Sequence, residues 1–426
     1  MVSRQHREKN MSPKNDKVDL LDSNSRTERP LLVHFGAGAI GRSLVGSLFS
    51  QAGYDIVFVD ADQRVVEALQ QRRSYQVVIK DDLPETVSPL IEVRHVTALA
   101  ADDTAAVAAA VARADLLGTS VGAAVLPHVL RSIATGLKER DRPVSILFCE
   151  NLNSVASFAA EILQQALGAD YPLREQVGLV ATSIGKMVPI MPDSVRARDL
   201  LEVWGEAYNR IIADGQAFRG PLPAVPGLQL ESNFQAHVER KLFVHNLGHA
   251  ACACHGFLRG HELIAAAMGD PAIAAATRAT MEAAAEALTQ RYPADFAPAD
   301  QAEHVADLLR RFANRALGDT VFRVGRDLAR KLAPGDRFIG ALHLVVETGG
   351  DARPICDAIA AALHFAATDE YGEEFPGDAA LRDQVATQGV TDFLIRHARL
   401  DPVQHAAQIA YIEKRHRQLA CGVIGN

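Results

Sequence analysis

The chain has 426 residues, 48% of them apolar and 23% charged, and its formal charge is -8, from 44 Lys and Arg against 52 Asp and Glu. That length and composition allow a large core and favour two domains, and they exclude a disordered, collagenous or small disulfide-built protein. The acidic balance speaks against a nucleic-acid partner, whose phosphates need a basic surface, and no apolar run approaches the roughly 18 residues of a membrane span.

Residues 1–29 are polar and of mixed charge, without the apolar stretch of a secretory signal, and are expected to be a disordered extension; Met11 offers an alternative start. Pro30 opens the folded part. The short apolar runs Leu31–Phe35, Tyr54–Val59, Gln76–Lys80, Leu90–Val96, Leu116–Ser120, Val144–Cys149 and Val177–Thr182 read as strands. Helical patterns alternate with several of them, which predicts a Rossmann-type doubly wound α/β sheet over 30–220. Residues 200–212 are expected to add a last strand and a helix. After PLPAVPG (Pro221–Gly227) the pattern turns Ala-rich and amphipathic, over 231–256, 271–292, 300–316, 352–366, 379–398 and 402–418. This predicts a mostly α-helical C-terminal domain over 221–426 that carries the substrate and catalytic residues. The five cysteines (149, 252, 254, 356 and 421) are odd in number and irregular in spacing, as expected of reduced thiols in a cytoplasmic protein.

The run Gly36-Ala-Gly38-Ala39-Ile40-Gly41 fits G-x-G-x-x-G, directly after one strand and at the start of a helix, with Asp60 19 residues beyond Gly41 at the end of the next strand. Together these read as one dinucleotide-binding βαβ unit. Gly36 makes the tight turn, Gly38 admits the pyrophosphate, Gly41 lets helix and strand approach, and the helix N-terminus faces the phosphates. Asp60 would accept the adenosine ribose hydroxyls and repel a 2′-phosphate, so NAD is the expected coenzyme. Thr119, Val121 and Gly122 follow a later strand and are expected to line the same crevice. Asn151, after Cys149-Glu150, falls near the nicotinamide.

Residues 239–249 (ERKLFVHNLGH) read as a helix. At about 100° per residue, His245 falls about 40°, His249 about 80° and Asn246 about 140° around the axis from Lys241. Phe243, Leu247, Ala250 and Cys254 make an apolar face opposite. A face of Lys, His and Asn is chemically able where a solvated face is usually Glu- and Lys-rich. Cys252-Ala-Cys254-His255 invites a zinc reading, but three ligands on one helix cannot converge on one ion and no second pair follows, so no metal is expected. Arg323, Arg326, Arg330, Lys331 and Arg337 lie within 15 residues. The first three are spaced to share a helical face and are candidates for a substrate phosphate.

The segments HFGAGAIGR (34–42), FVDAD (58–62), CEN (149–151), PLPAVPG (221–227), ERKLFVHNLGHA (239–250), VGRDLARKLAPGDR (324–337) and IAAALHF (359–365) resemble those of the polyol-specific long-chain dehydrogenases. Within them the chain is most similar to the branch that works on mannitol 1-phosphate. The family signature K-x4-N-x2-H is present as Lys241, Asn246 and His249. The resemblance implies a metal-independent, NAD-dependent interconversion of mannitol 1-phosphate and fructose 6-phosphate. Lys241 would be the general base, Asn246 and Asn151 would stabilise the alkoxide, and His249 would orient the substrate. It assigns no role to His245. The expected partner is a small polyol or sugar phosphate, and the chain is expected to be a monomer or weak dimer. One departure stands out: Gly185-Lys186 replaces the Asp-Arg pair common in the family. Two other readings fit the residues: a dehydrogenase of a non-phosphorylated polyol or sugar acid, and an NAD-binding regulator without catalysis.

Overall fold

A computed structural model describes residues 29–81, 89–152 and 154–422. The extension expected over 1–29 therefore lies, but for Arg29, outside the described residues. The strands are β1 (Leu31–Phe35), β2 (Asp55–Asp60), β3 (Ser74–Ile79), β4 (Leu90–Arg94), β5 (Val96–Ala100), β6 (Leu116–Thr119), β7 (Val144–Phe148), β8 (Val177–Ser183), β9 (Val203–Gly205), β10 (Ile211–Asp214) and β11 (Leu228–Glu231). Eight of them form one sheet in the order β11-β10-β8-β7-β6-β1-β2-β5. From β5 to β8 all neighbours are parallel. Chain order reverses between β1 and β6, which opens a crevice at the carboxyl ends of the strands.

The continuous apolar runs follow from burial on both faces. Leu32 packs with Leu44, Leu48 and Phe49 on one side of the sheet. Val33 and Phe35 pack with Val107, Val111 and Leu130 on the other. Each such enclosed side chain contributes about 1.5–3 kcal/mol.

The structure departs from the sequence reading in several places. The run Leu90–Val96 is two strands, broken at His95 (φ 60). β4 joins β3 and β9 in a separate three-stranded sheet, while β5 forms the edge of the large one. Residues 200–212 hold no helix but β9 and the start of β10, which runs antiparallel to β8. The sheet also continues past the boundary expected at Gly220, because β11 pairs with β10.

The chain then becomes helical, as expected. Phe234–Arg240, Lys241–Asn246 and Leu247–Leu258 run on as one rod, followed by the long helices Pro271–Arg291 and Pro298–Phe312. Asp270 starts the first of these by accepting the N–H groups of Ala272 and Ile273, with Pro271 at the first helical position. Gly248 lets the rod lie against that helix, since a Cβ there would come within 2.4 Å of Met281 Sδ. The helix Arg337–Glu347 was not expected from sequence. Its residues Phe338–Leu342, Leu344 and Val345 are all buried, which leaves only Arg337, His343 and Glu347 to mark a polar side. The stretch expected as one helix over 379–398 is two, Asp378–Gln388 and Val390–Arg396, divided by Gly389 at φ +87.

Candidate active site

The glycine turn leaves β1 at Gly36, whose φ of +99 suits glycine. A Cβ on Gly36 would stand 2.6 Å from the Ser120 carbonyl, and one on Gly41 would stand 2.1 Å from the Gly36 carbonyl, whereas a Cβ on Gly38 would meet nothing within 4 Å. The outer two glycines thus serve backbone packing, and the middle one borders open space of the kind a pyrophosphate fills. Ala39 and Ile40 lead into the helix and line the cleft. Asp60 braces this loop: its Oδ2 accepts the Ala37 N–H at 2.6 Å and its Oδ1 the Asp62 N–H at 2.9 Å. Replacing Asp60 with Ser should move the ratio of kcat/KM for NAD over NADP toward NADP by about tenfold, or ~1.4 kcal/mol. Steady-state rates with both coenzymes measure this, and an unchanged ratio would remove Asp60 from coenzyme selection.

Thr119 is fully buried and its carbonyl accepts the Cys149 N–H, so it fixes the strand ends and presents no side-chain surface to the cleft. Val121 and Gly122 donate their N–H groups to Glu150, at 2.8 Å on Oε1 and 2.7 Å on Oε2. The sequence reading passed over Glu150. Its position directly before Asn151, at a strand end, was the available signal.

The K-x4-N-x2-H segment does not follow the regular helix assumed for it. Lys241–Asn246 is a π-helical turn, in which each N–H reaches back five residues. Widening the turn brings residues five apart onto neighbouring positions, where a regular helix would hold Lys241 and Asn246 about 140° apart. Lys241, His245, Asn246 and His249 accordingly line one cavity of about 710 Å³, together with Asn151 and Glu150. Lys241 Nζ donates to Asn151 Oδ1 at 3.2 Å. Burial, assisted by the Arg337 guanidinium, lowers the Lys241 pKa to about 8. His249 stacks flat on Phe312, with ring centroids 4.6 Å apart, and its Nε2 lies 3.7 Å from Asp319 Oδ2. Burial and the surrounding cations, Arg323 first, lower the His249 pKa to about 3, so it is a neutral imidazole at physiological pH. Buried His245 is likewise held well below its ordinary value, by burial and then by Arg311.

The turn carrying Gly185 and Lys186 shows what the departure from Asp-Arg does. Lys186 is buried, and its ammonium donates to the carbonyls of Glu206 and Tyr208, both at 2.9 Å. It is spent on the backbone. Gly185 leaves room, since a Cβ there would sit 3.6 Å from His245 Nδ1. The buried carboxylate at this turn is Glu206, which sequence reading did not single out. It accepts Arg311 Nε at 2.7 Å and Nη2 at 2.6 Å and takes the Met187 N–H as well. Arg311 also donates to the Gly185 carbonyl. A two-pronged ion pair therefore ties the substrate-side turn of the first domain to the helix Pro298–Phe312 of the second.

Of the expected basic face, Arg323, Arg330, Lys331 and Arg337 do line the cavity. They are not on one helix: Val321–Gly325 ends before Arg326 (ψ 166), and Leu328–Lys331 is a separate turn. Arg326 points elsewhere, over the rings of Phe322 and Phe375. Arg323 is paired with Asp319, Arg330 with Asp327, and Arg337 with Asp336. Cys252 and Cys254 are enclosed, and burial pushes both thiols up to about 12. Among the described residues no group of three or more His, Cys, Asp or Glu is placed to hold a metal ion, and no helix is long and apolar enough to cross a membrane.

The mannitol dehydrogenase Rossmann domain, as a sequence family, matches residues 30–227, and the mannitol dehydrogenase C-terminal domain matches 233–409. Among solved structures, mannitol 2-dehydrogenase of Pseudomonas fluorescens, in ternary complex with NAD and D-mannitol, superposes with a TM-score of 0.69 at 17% identity, over 93% of this chain and 92% of the other. A D-sorbitol dehydrogenase in substrate-free form superposes with a TM-score of 0.74 at 17% identity, over 93% and 94%. At that identity the two structures speak for the fold.

Proposed function

The chain belongs to the mannitol dehydrogenase family, an NAD-dependent polyol dehydrogenase by that membership, and we propose that its substrate pair is a polyol phosphate and a ketose phosphate, D-mannitol 1-phosphate and D-fructose 6-phosphate. The observation that carries the phosphate is the charge lining the cavity. Seven cationic side chains (Lys186, Arg196, Lys241, Arg323, Arg330, Lys331 and Arg337) line the cavity with two carboxylates, Glu150 and Asp319; with Lys186 spent on backbone carbonyls and Asp327 and Asp336 pairing Arg330 and Arg337, a positive surplus still remains. A neutral polyol has no use for that surplus, whereas a phosphate takes charge-assisted bonds from it.

The chemistry divides among the residues as follows. NAD, held by the glycine turn and Asp60, would supply the acceptor for the hydride of the carbinol carbon. Neutral Lys241 takes the hydroxyl proton, and burial together with Arg337 makes the neutral form accessible near pH 8. Asn151 accepts one Nζ–H bond and so aims the lone pair and the other hydrogen. Asn246, brought to the same wall by the π turn, is placed to donate its amide to the oxygen as negative charge grows there. His249, held flat by Phe312, orients a substrate hydroxyl. Four basic residues, Arg323, Arg330, Lys331 and Arg337, form the phosphate end of the cavity.

NADH oxidation with fructose 6-phosphate, fructose and tagaturonate tests this reading. Fructose 6-phosphate should show a KM about 10²-fold below that of fructose, as one or two charge-assisted bonds would provide. Equal KM values for the two would refute the phosphate reading. A preference for tagaturonate would assign the same cations to a sugar-acid carboxylate.

A further inference from the structure

Glu150 stands just after β7 leaves the sheet and lines the same cleft as Ala39 and Ile40 of the glycine turn and Lys241. It is 8% exposed, and both of its oxygens are engaged from one side, Oε1 by the Val121 N–H and Oε2 by the Gly122 N–H. Two consequences follow. The N–H groups at the end of β6 are already used and do not point at a coenzyme phosphate. In their place a carboxylate lines the cleft, one residue from Asn151 in sequence and in the same cavity as Lys241. In a cavity otherwise rich in cations, this negative charge has a fixed position.

Its place relative to the reaction follows from the proton acceptor. Lys241 Nζ on Asn151 Oδ1 fixes the side from which the carbinol hydroxyl is approached. Ala39 and Ile40 of the glycine turn, Glu150, Asn151 and Lys241 line one cleft, so a coenzyme ring held there to take a hydride beside Lys241 would share that cleft with Glu150. That ring is cationic when oxidised and neutral when reduced.

We propose that Glu150 is the anionic counterpart of the oxidised nicotinamide, a binding residue that distinguishes the two redox states of the coenzyme by charge. The clamp by Val121 and Gly122 holds the carboxylate in place, so it need not reorganise as the ring gains or loses its charge. The inference rests on coenzyme binding in this cleft and is independent of whether the substrate is phosphorylated.

The test is equilibrium binding of NAD⁺ and NADH, each measured by calorimetry at pH 7, for the wild type, Glu150→Gln and Glu150→Asp, with ADP-ribose as a ligand that lacks the ring. Removing the charge in Glu150→Gln should weaken NAD⁺ about tenfold more than NADH, with ADP-ribose affinity retained. Glu150→Asp keeps the charge and should keep the wild-type ratio of the two affinities, even where both fall. Equal losses for NAD⁺ and NADH in Glu150→Gln would overturn the proposal and leave Glu150 as a brace for the loop alone. Should the amide, which sets an N–H₂ against two backbone N–H groups, prevent folding, Glu150→Ala leaves those groups to water. The same ratio then decides, an unchanged value overturning the proposal.

Discussion

Lys241→Ala is expected to lower the turnover of polyol oxidation about 10²–10⁴-fold, the range of a positioned acid or base. NADH affinity should stay close to normal, because the coenzyme rests on the first domain. The pH dependence carries the sign. Oxidation needs the free amine, so its rate should rise with pH and level off above about 8, where burial and Arg337 place the lysine; an ordinary lysine would put that rise near 10.4. Ketose reduction needs the ammonium and should fall over the same interval. Lys241→Arg should be nearly as inactive as the alanine variant, since a guanidinium keeps its proton at any usable pH. Arg337→Gln, by removing a neighbouring positive charge, should shift the oxidation profile upward. Near-normal turnover of Lys241→Ala would take the lysine out of the mechanism.

Glu206→Ala should destabilise the protein by about 3–5 kcal/mol, because it strands the Arg311 guanidinium in a site where that side chain is only 4% exposed. The Met187 N–H loses its acceptor in the same step. Urea unfolding of the variant beside the wild type measures the effect. The double replacement of Glu206 and Arg311 by Met should recover part of the loss, since it removes both members of the buried pair while Lys186 and Asp307 each lose a charged neighbour. A Glu206→Ala protein as stable as the wild type would mean that the pair does not hold the two domains together.

The parts of this fold that sequence revealed are those where local pattern and tertiary context agree. β1 with its glycine turn, and Asp60 at the end of β2, are legible because one short segment must satisfy several demands at once. The small sheet was not, since β9 joins β3 and β4 from a distant part of the chain and each strand is too short to show which sheet it joins. Helix Arg337–Glu347 escaped because it is buried nearly all round. At the site, Lys241, Asn246 and His249 were marked by a chemically able helix face and given roles by resemblance, but a regular helix would have set Lys241 and Asn246 about 140° apart. Glu206 and Arg311, 105 residues apart, gave no sign, because nothing in either local sequence reports a partner that only folding supplies. The basic cluster was half legible: charge density marked the region, but the break at Arg326 turned one of the five away.

The π-helical turn at Lys241–Asn246 also bears on how far the signature can travel. In this chain K-x4-N-x2-H brings its side chains to one wall on a rod whose turn is widened by one residue at that point. Grafted onto a straight α-helix of a designed scaffold, the same letters would aim lysine and asparagine at different neighbours, and such a helix would need a spacing of three or four to bring them together. A genome search by letters alone would equally admit chains that keep the motif and lack the bulge. For enzyme design the transferable unit is the backbone irregularity, with the three side chains as its cargo.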